Sequence, residues 1–194
     1  MTRLRLSPIK TVLLCILALV LAGCAAKSTG PLKLYPAGRG SDTYSREVNR
    51  WVFSGQGVRI SVGHAGGAHD SAIARDLVEK EYVLLEMEID NGSGLEVVFN
   101  PALVSLRDST MDYKKPLDYT DFHDIAAEST GWDLSGVGKT FYDLTETVPP
   151  GERISKVLVF TPFAKRVTRA KLVIKNLYIG PETIDLQFSF TTRP

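Results

Sequence analysis

Thiols are almost absent from this chain. Its 194 residues include 2 Cys, at positions 15 and 24. Nothing beyond residue 24 can therefore form a disulfide, a metal thiolate or a cysteine nucleophile, and a folded body there must be held by its core alone. Net charge is equally scarce: 23 Lys+Arg against 22 Asp+Glu leave a formal +1, and no basic stripe stands out, so nucleic acid is not an expected partner. No apolar run after residue 22 reaches the length of about 18 that a spanning helix needs. No βαβ alternation is visible, which disfavours a parallel sheet. With 44% hydrophobic and 9% aromatic residues, what remains is the composition of one folded domain.

The first 23 residues read as an export signal. Arg3, Arg5 and Lys10 give a positive start without an acid, and Thr11 to Ala22 follows with 11 apolar residues in 12. As a helix this run spans about 18 Å, short of the roughly 30 Å of hydrocarbon in a bilayer, which suits a signal core better than a membrane span. Leu21-Ala22-Gly23-Cys24 then resembles the lipobox of bacterial lipoproteins. That resemblance implies cleavage before Cys24 and attachment of lipid, diacylglyceryl and palmitate in kind, to its sulfur. Two or more acyl chains anchor stably where one is marginal. The expected location is the periplasmic side of the cell envelope. The outer membrane is favoured over the inner, because Ala25 stands where a retention signal has Asp. Loss of the three leader cations leaves 20 basic residues against 22 acids, about −2, so the lipid rather than a charged face is expected to hold the body at the membrane.

Residues 24–46 are rich in Gly, Pro and Ser and predict a flexible tether with a reach of about 25 Å. Leu32, Leu34 and Tyr35 leave open that part of it docks as a strand. From 47 to 194 the dominant period is two. Val83, Leu85, Met87 and Ile89 share one face against Glu86, Glu88 and Asp90, and Ile184, Leu186, Phe188 and Phe190 alternate with polar residues after a Gly180-Pro181 turn. Further strands are predicted at 59–62, 95–99, 103–107, 153–160 and 171–177. Asn91-Gly92 is expected as a hairpin turn and Pro150-Gly151-Glu152 as a type II turn. The fold class is therefore all-β, an antiparallel β-sandwich of about seven strands. One short helix over 120–129 is predicted to lie across an open end of it.

Several of these signals occur together in a known pattern. A long strand ends in Asn plus small residues (81–93), an Asn-Pro segment leads to a Leu-x-Asp strand (100–108), and a Pro-Gly-Glu turn precedes a strand ending in Val-Phe (150–160), with Lys-Leu-Val-Ile at 171–174. In this the chain resembles a family of uncharacterised secreted bacterial lipoproteins with an immunoglobulin-like sandwich. The resemblance implies an immunoglobulin-like fold and an extracytoplasmic setting, and brings no catalytic residues with it.

Three constellations invite chemistry. His64, His69 and Asp70 fall within seven residues and are a conceivable metal site, although the three Gly of the stretch 62–70 argue against the helix that would place both His on one face. Asp118, Asp121, Asp124 and Glu128 cluster around the predicted helix, without the alternating ligands of an EF-hand; a paired-carboxylate hydrolase needs them across a cleft. Trp51, Trp132, Tyr113, Tyr119, Phe141 and Tyr142 are an aromatic set that suits a core, or else a partner groove or sugar platform. No G-x-S-x-G elbow or Lys-Ser/Thr phosphate loop is present. The expectation is a non-enzymatic, lipid-anchored binding or assembly module for a protein partner, with no cofactor. The alternative is a periplasmic metal or small-molecule binder using the His64/His69 loop. Segments 62–76 and 109–147 are predicted as the long irregular loops where function would sit.

Overall fold

The computed structural model describes residues 32–65, 71–110, 112–128, 132–163 and 167–192. They form the all-β fold that the alternation predicts, two antiparallel sheets packed face to face. The strands are β1 (Leu34–Pro36), β2 (Tyr44–Glu47), β3 (Arg50–Gly55), β4 (Val58–His64), β5 (Val83–Asn91), β6 (Val97–Phe99), β7 (Val104–Asp108), β8 (Tyr113–Lys114), β9 (Glu146–Val148), β10 (Arg153–Phe160), β11 (Arg169–Ile179) and β12 (Glu182–Thr192). The helices are α1 (Ala72–Glu79), α2 (Tyr119–Glu128) and α3 (Val137–Thr140). One sheet runs β10-β5-β4-β3-β2. The other runs β1-β12-β11, and β11 then pairs on its far side with both β6 and β7, which carry β9 and β8 as outer neighbours.

The inner faces are the ones the period of two assigns. Val83, Leu85, Met87 and Ile89 of β5 meet Leu172 and Ile174 of β11 and Leu186, Phe188 and Phe190 of β12 in one apolar cluster, all nearly or fully inaccessible to solvent. Each such side chain contributes about 1.5–3 kcal/mol on burial, and no cross-link assists. Trp51 on β3 closes one flank, its Nε1 donating to the Ser189 carbonyl at 2.6 Å.

The turns divide into one confirmed and one corrected. Glu152 N donates to Pro149 O at 3.1 Å with Gly151 at φ +78°, the type II geometry that Pro150-Gly151 requires. Asn91-Gly92, by contrast, is no hairpin, because β5 pairs with β4 and β10 while β6 belongs to the opposite sheet. The chain crosses between sheets there. Asn91 is fully buried and organises the crossing: its Nδ2 donates to the carbonyls of Leu95 and Val148 at 2.8 Å each, and its Oδ1 accepts from Ser93 N and Oγ at 3.1 and 2.6 Å. A buried amide satisfied in this way links both sheets, so its side chain serves the fold rather than a turn.

Strand and helix counts exceed the expected seven and one, and three boundaries move. Part of the predicted tether belongs to the sandwich: Leu34–Pro36 pairs with Phe190–Thr192, and Tyr44–Glu47 pairs with Arg50–Phe53. Leu34 is fully buried, which outweighs the Gly/Pro composition around it. The segment 62–76 holds the end of β4 and the first part of α1. Ser71 caps it by accepting from Ala74 N at 3.1 Å, and Ile73, Ala74 and Leu77 are buried. The described residues of 109–147 likewise include β8, α2 and α3. Helix α2, expected across an open end, lies instead outside the five-stranded sheet. Phe122 of α2, Leu77 of α1, Val137 of α3 and Phe141 form a second apolar cluster with Leu84, Val157 and Val159, which are the outward residues at one end of β5 and β10. This helical cap is a third layer over part of one sheet.

Candidate functional site

Cys24 lies outside the described residues, as do His69 and Asp70. His64 is described. It ends β4 opposite Leu85, half-buried, and its Nδ1 is buried without a hydrogen-bond partner among the described residues. Burial, followed by the nearby Lys33 charge, lowers its pKa from the ordinary 6.5. A neutral imidazole is a competent ligand, but a cation beside it opposes a metal ion, and among the described residues no three His, Cys, Asp or Glu side chains come together.

The acidic set does not face a cleft. Asp118, Asp121, Asp124 and Glu128 are all exposed. Two of them cap α2 reciprocally: Asp118 Oδ1 accepts from Thr120 N and Asp121 N at 2.8 and 3.1 Å, and Asp121 Oδ2 accepts from Asp118 N at 2.9 Å. This is the capping-box logic with carboxylates in both positions, favoured further by the helix dipole. The aromatic set divides. Trp51, Phe141 and Tyr142 are buried, and Trp132 is partly buried with its Nε1 donating to Asp76 at 3.0 Å. Tyr113 and Tyr119 are 61% and 49% exposed, and with Leu144 at 63% they leave apolar surface on the 109–147 segment.

One polar trio escaped the sequence reading. Lys156 of β10 is an inward position in the alternation, paired with Met87, and its side chain is only 11% exposed. Its Nζ donates to a Glu146 carboxylate oxygen and, at 2.5 Å, to Gly138 O, and stands 5.9 Å from the centre of the Tyr142 ring. Burial, with Glu146, Glu88 and Glu86 adding to it, pushes the Tyr142 phenol strongly up, so it stays protonated and donates to Met87 O at 3.2 Å. The buried cation thus has a counter-charge, a carbonyl and a π face, and it ties the 138–146 segment to the sandwich.

The outward faces of the two sheets differ in charge arrangement. On the five-stranded sheet Arg50 reaches across Gly63 to Glu86; the three stand in one row, and a Cβ on Gly63 would lie 2.6 Å from Arg50 Cγ. Arg59 pairs with Glu47 at 2.8 Å and Arg153 with Asp90 at 2.5 Å, so signs alternate across the sheet. On the seven-stranded sheet a hollow of about 580 Å³ has Arg107, Arg169 and Lys171 among its walls. Those residues were missed because an overall charge of +1 conceals local segregation.

No family model matches the chain, and no curated protein matches it. Among solved structures it is similar to the yjhA protein from Bacillus subtilis, at 14% identity and a TM-score of 0.41, over 70% of this chain and 93% of that one. The class defined by the coordinates themselves is an all-β, two-sheet antiparallel sandwich with a helical cap.

Proposed function

We propose that the protein is a lipid-anchored envelope protein whose immunoglobulin-like sandwich acts as a non-enzymatic binding or assembly module, held at the periplasmic side of a membrane through Cys24. The observation that carries the anchoring is sequence order: a positive start, an apolar run and Leu21-Ala22-Gly23-Cys24, with the first strand beginning at Leu34, ten residues further on. Ten extended residues span at most about 35 Å, so such an anchor keeps the domain near the bilayer surface. For partner contact the molecule offers β2, which among the described residues pairs only with β3, and the apolar side chains exposed on the 109–147 segment. An edge strand accepts a partner strand through main-chain hydrogen bonds.

The test is Cys24→Ala. The variant is expected to lose lipid labelling and to leave the membrane fraction, while full labelling and retention overturn the assignment. Crosslinking in intact cells through Tyr113, Tyr119 or β2 then reads out the partner; capture that is unchanged when these positions are altered removes them as the contact surface.

A further inference from the structure

The hollow on the seven-stranded sheet has a charge pattern that folding alone does not favour. Lys171 of β11 is directly opposite Arg107 of β7, and Arg169 stands two residues away on the same outward face of β11. Side chains opposed across a sheet have Cβ atoms about 5 Å apart, where like charges destabilise. All three are exposed, and among the described residues none has a carboxylate within ion-pair distance. Lys175, further along the same face of β11, is paired with Asp185 at 2.5 Å. The sheet therefore alternates charge where partners exist and concentrates one sign where it is hollow.

Asp108 is a carboxylate at the hollow, but it is occupied. Its Oδ1 accepts from Thr110 N and Oγ1 at 2.8 Å each and from Asp112 N at 3.0 Å. Burial alone would raise this carboxyl; the hydrogen bonds from Thr110 and Asp112 and the Lys114 charge outweigh that and hold it below the usual range, ionised and tied into its own turn. On the β12 side Ser189 and Thr191 line the hollow opposite Lys171 and Arg169 in the register.

We propose that this hollow binds a phosphate-class oxyanion, with Arg107, Arg169 and Lys171 as its cationic walls and Ser189 and Thr191 beside them. Two guanidinium groups offer planar, paired donors that match a tetrahedral oxyanion, and the ammonium adds a point charge. A bound dianion removes the repulsion between Arg107 and Lys171. The phosphate has two sources, a lipid headgroup or a soluble phosphate. The hollow adjoins Ala37 and Gly38, directly after β1, the described strand nearest in sequence to Cys24. The headgroup source rests on the anchored reading above; the site itself does not.

The test is lysine acetylation of the full-length protein in an uncharged detergent, read by mass spectrometry, with Lys175 as internal reference. Inorganic phosphate at ten times its Kd is expected to slow labelling of Lys171 about tenfold by mass action, chloride at equal ionic strength to leave it unchanged, and Arg107→Gln with Arg169→Gln to abolish the protection. In a second arm the same protein is placed in vesicles of phosphatidylcholine with or without phosphatidylglycerol. Protection with phosphatidylglycerol identifies the headgroup as the source, and protection by phosphate alone identifies the soluble anion. No protection in either arm, equal protection by chloride, or protection that survives the double variant overturns the site. A protein that does not enter vesicles at all counts against the anchor, while the phosphate arm still decides the site.

Discussion

The two ends of the paired strands β5 and β10 differ in what lies outside them. At one end the outward residues are Leu84, Val157 and Val159, all buried beneath the helical cap. At the other they are Glu86, Glu88, Asp90, Ser155 and Arg153, dressed in ion pairs and open to water. The same two strands are therefore sandwich core with one wet face over half their length, and the middle layer of three over the other half. Alternation is the mark of a half-buried strand; a continuous apolar run, Val83-Leu84-Leu85 or Val157 to Phe160, is the mark of a strand covered on both sides.

If the cap is a layer in its own right, truncations on the two sides of the sheet separate. Phe188→Ala, in the sandwich core, is expected to lower global stability by about 3–5 kcal/mol. Phe122→Ala, whose ring centroid lies 4.9 Å from that of Phe141 in the cap, should lose a comparable amount but release hydrogen-exchange protection in α1 and α2 before that in β11 and β12. Simultaneous loss of protection in both layers breaks the distinction. At the wet end, Asn91→Ala strands the Leu95 and Val148 carbonyls and should cost about 2–3 kcal/mol in a urea titration, more than any charge beside it.

Smaller effects sharpen the contrast. Asp118→Ala removes the α2 cap and is expected to cost about 1 kcal/mol, felt in the cap alone. Neutralising Arg153, which is 60% exposed, should change stability by less than about 1 kcal/mol, an effect erased by salt. Acid supplies the last probe. Because the folded His64 binds its proton less readily than an unfolded histidine, the unfolded chain takes up protons first as pH falls below about 6.5, and stability drops over that range. His64→Gln should flatten that part of the pH profile; an unchanged slope assigns it to other groups.

How much was legible follows from the same physics. Strands β4, β5, β10, β11 and β12 are long, and one face of each is apolar, so period two finds them. Strands β1, β2, β8 and β9 are two to four residues long, too short for a period to register; β1, β2 and β8 exist because a longer neighbour pairs with them, and β9 because it pairs with β6. Helix α1 was concealed by the glycines before it, although Ser71 with Ile73, Ala74 and Leu77 is a cap and an apolar face in sequence. The cap itself was signalled by Val157 to Phe160, a run that alternation alone cannot explain. Of the candidate site residues, the acids at Asp118 and Asp121 carried a local meaning, capping. The cluster of Arg107, Arg169 and Lys171 joins residues from two strands far apart in sequence, and only the register of β7 on β11 brings it together.

The outer side of β10 is covered over its last residues: Tyr142 N donates to Val157 O at 2.9 Å and Leu117 N to Val159 O at 2.7 Å, leaving a stub of three residues, 153–155. In the five-stranded sheet that leaves β2, four residues long, as the more open edge among the described residues. Polymer chemistry states the outcome simply. A unit with one reactive end can join one neighbour and then terminates, so two copies meeting through β2 give a closed pair, and extension of this sheet into a fibre has at its second end only the three-residue stub of β10 from which to grow.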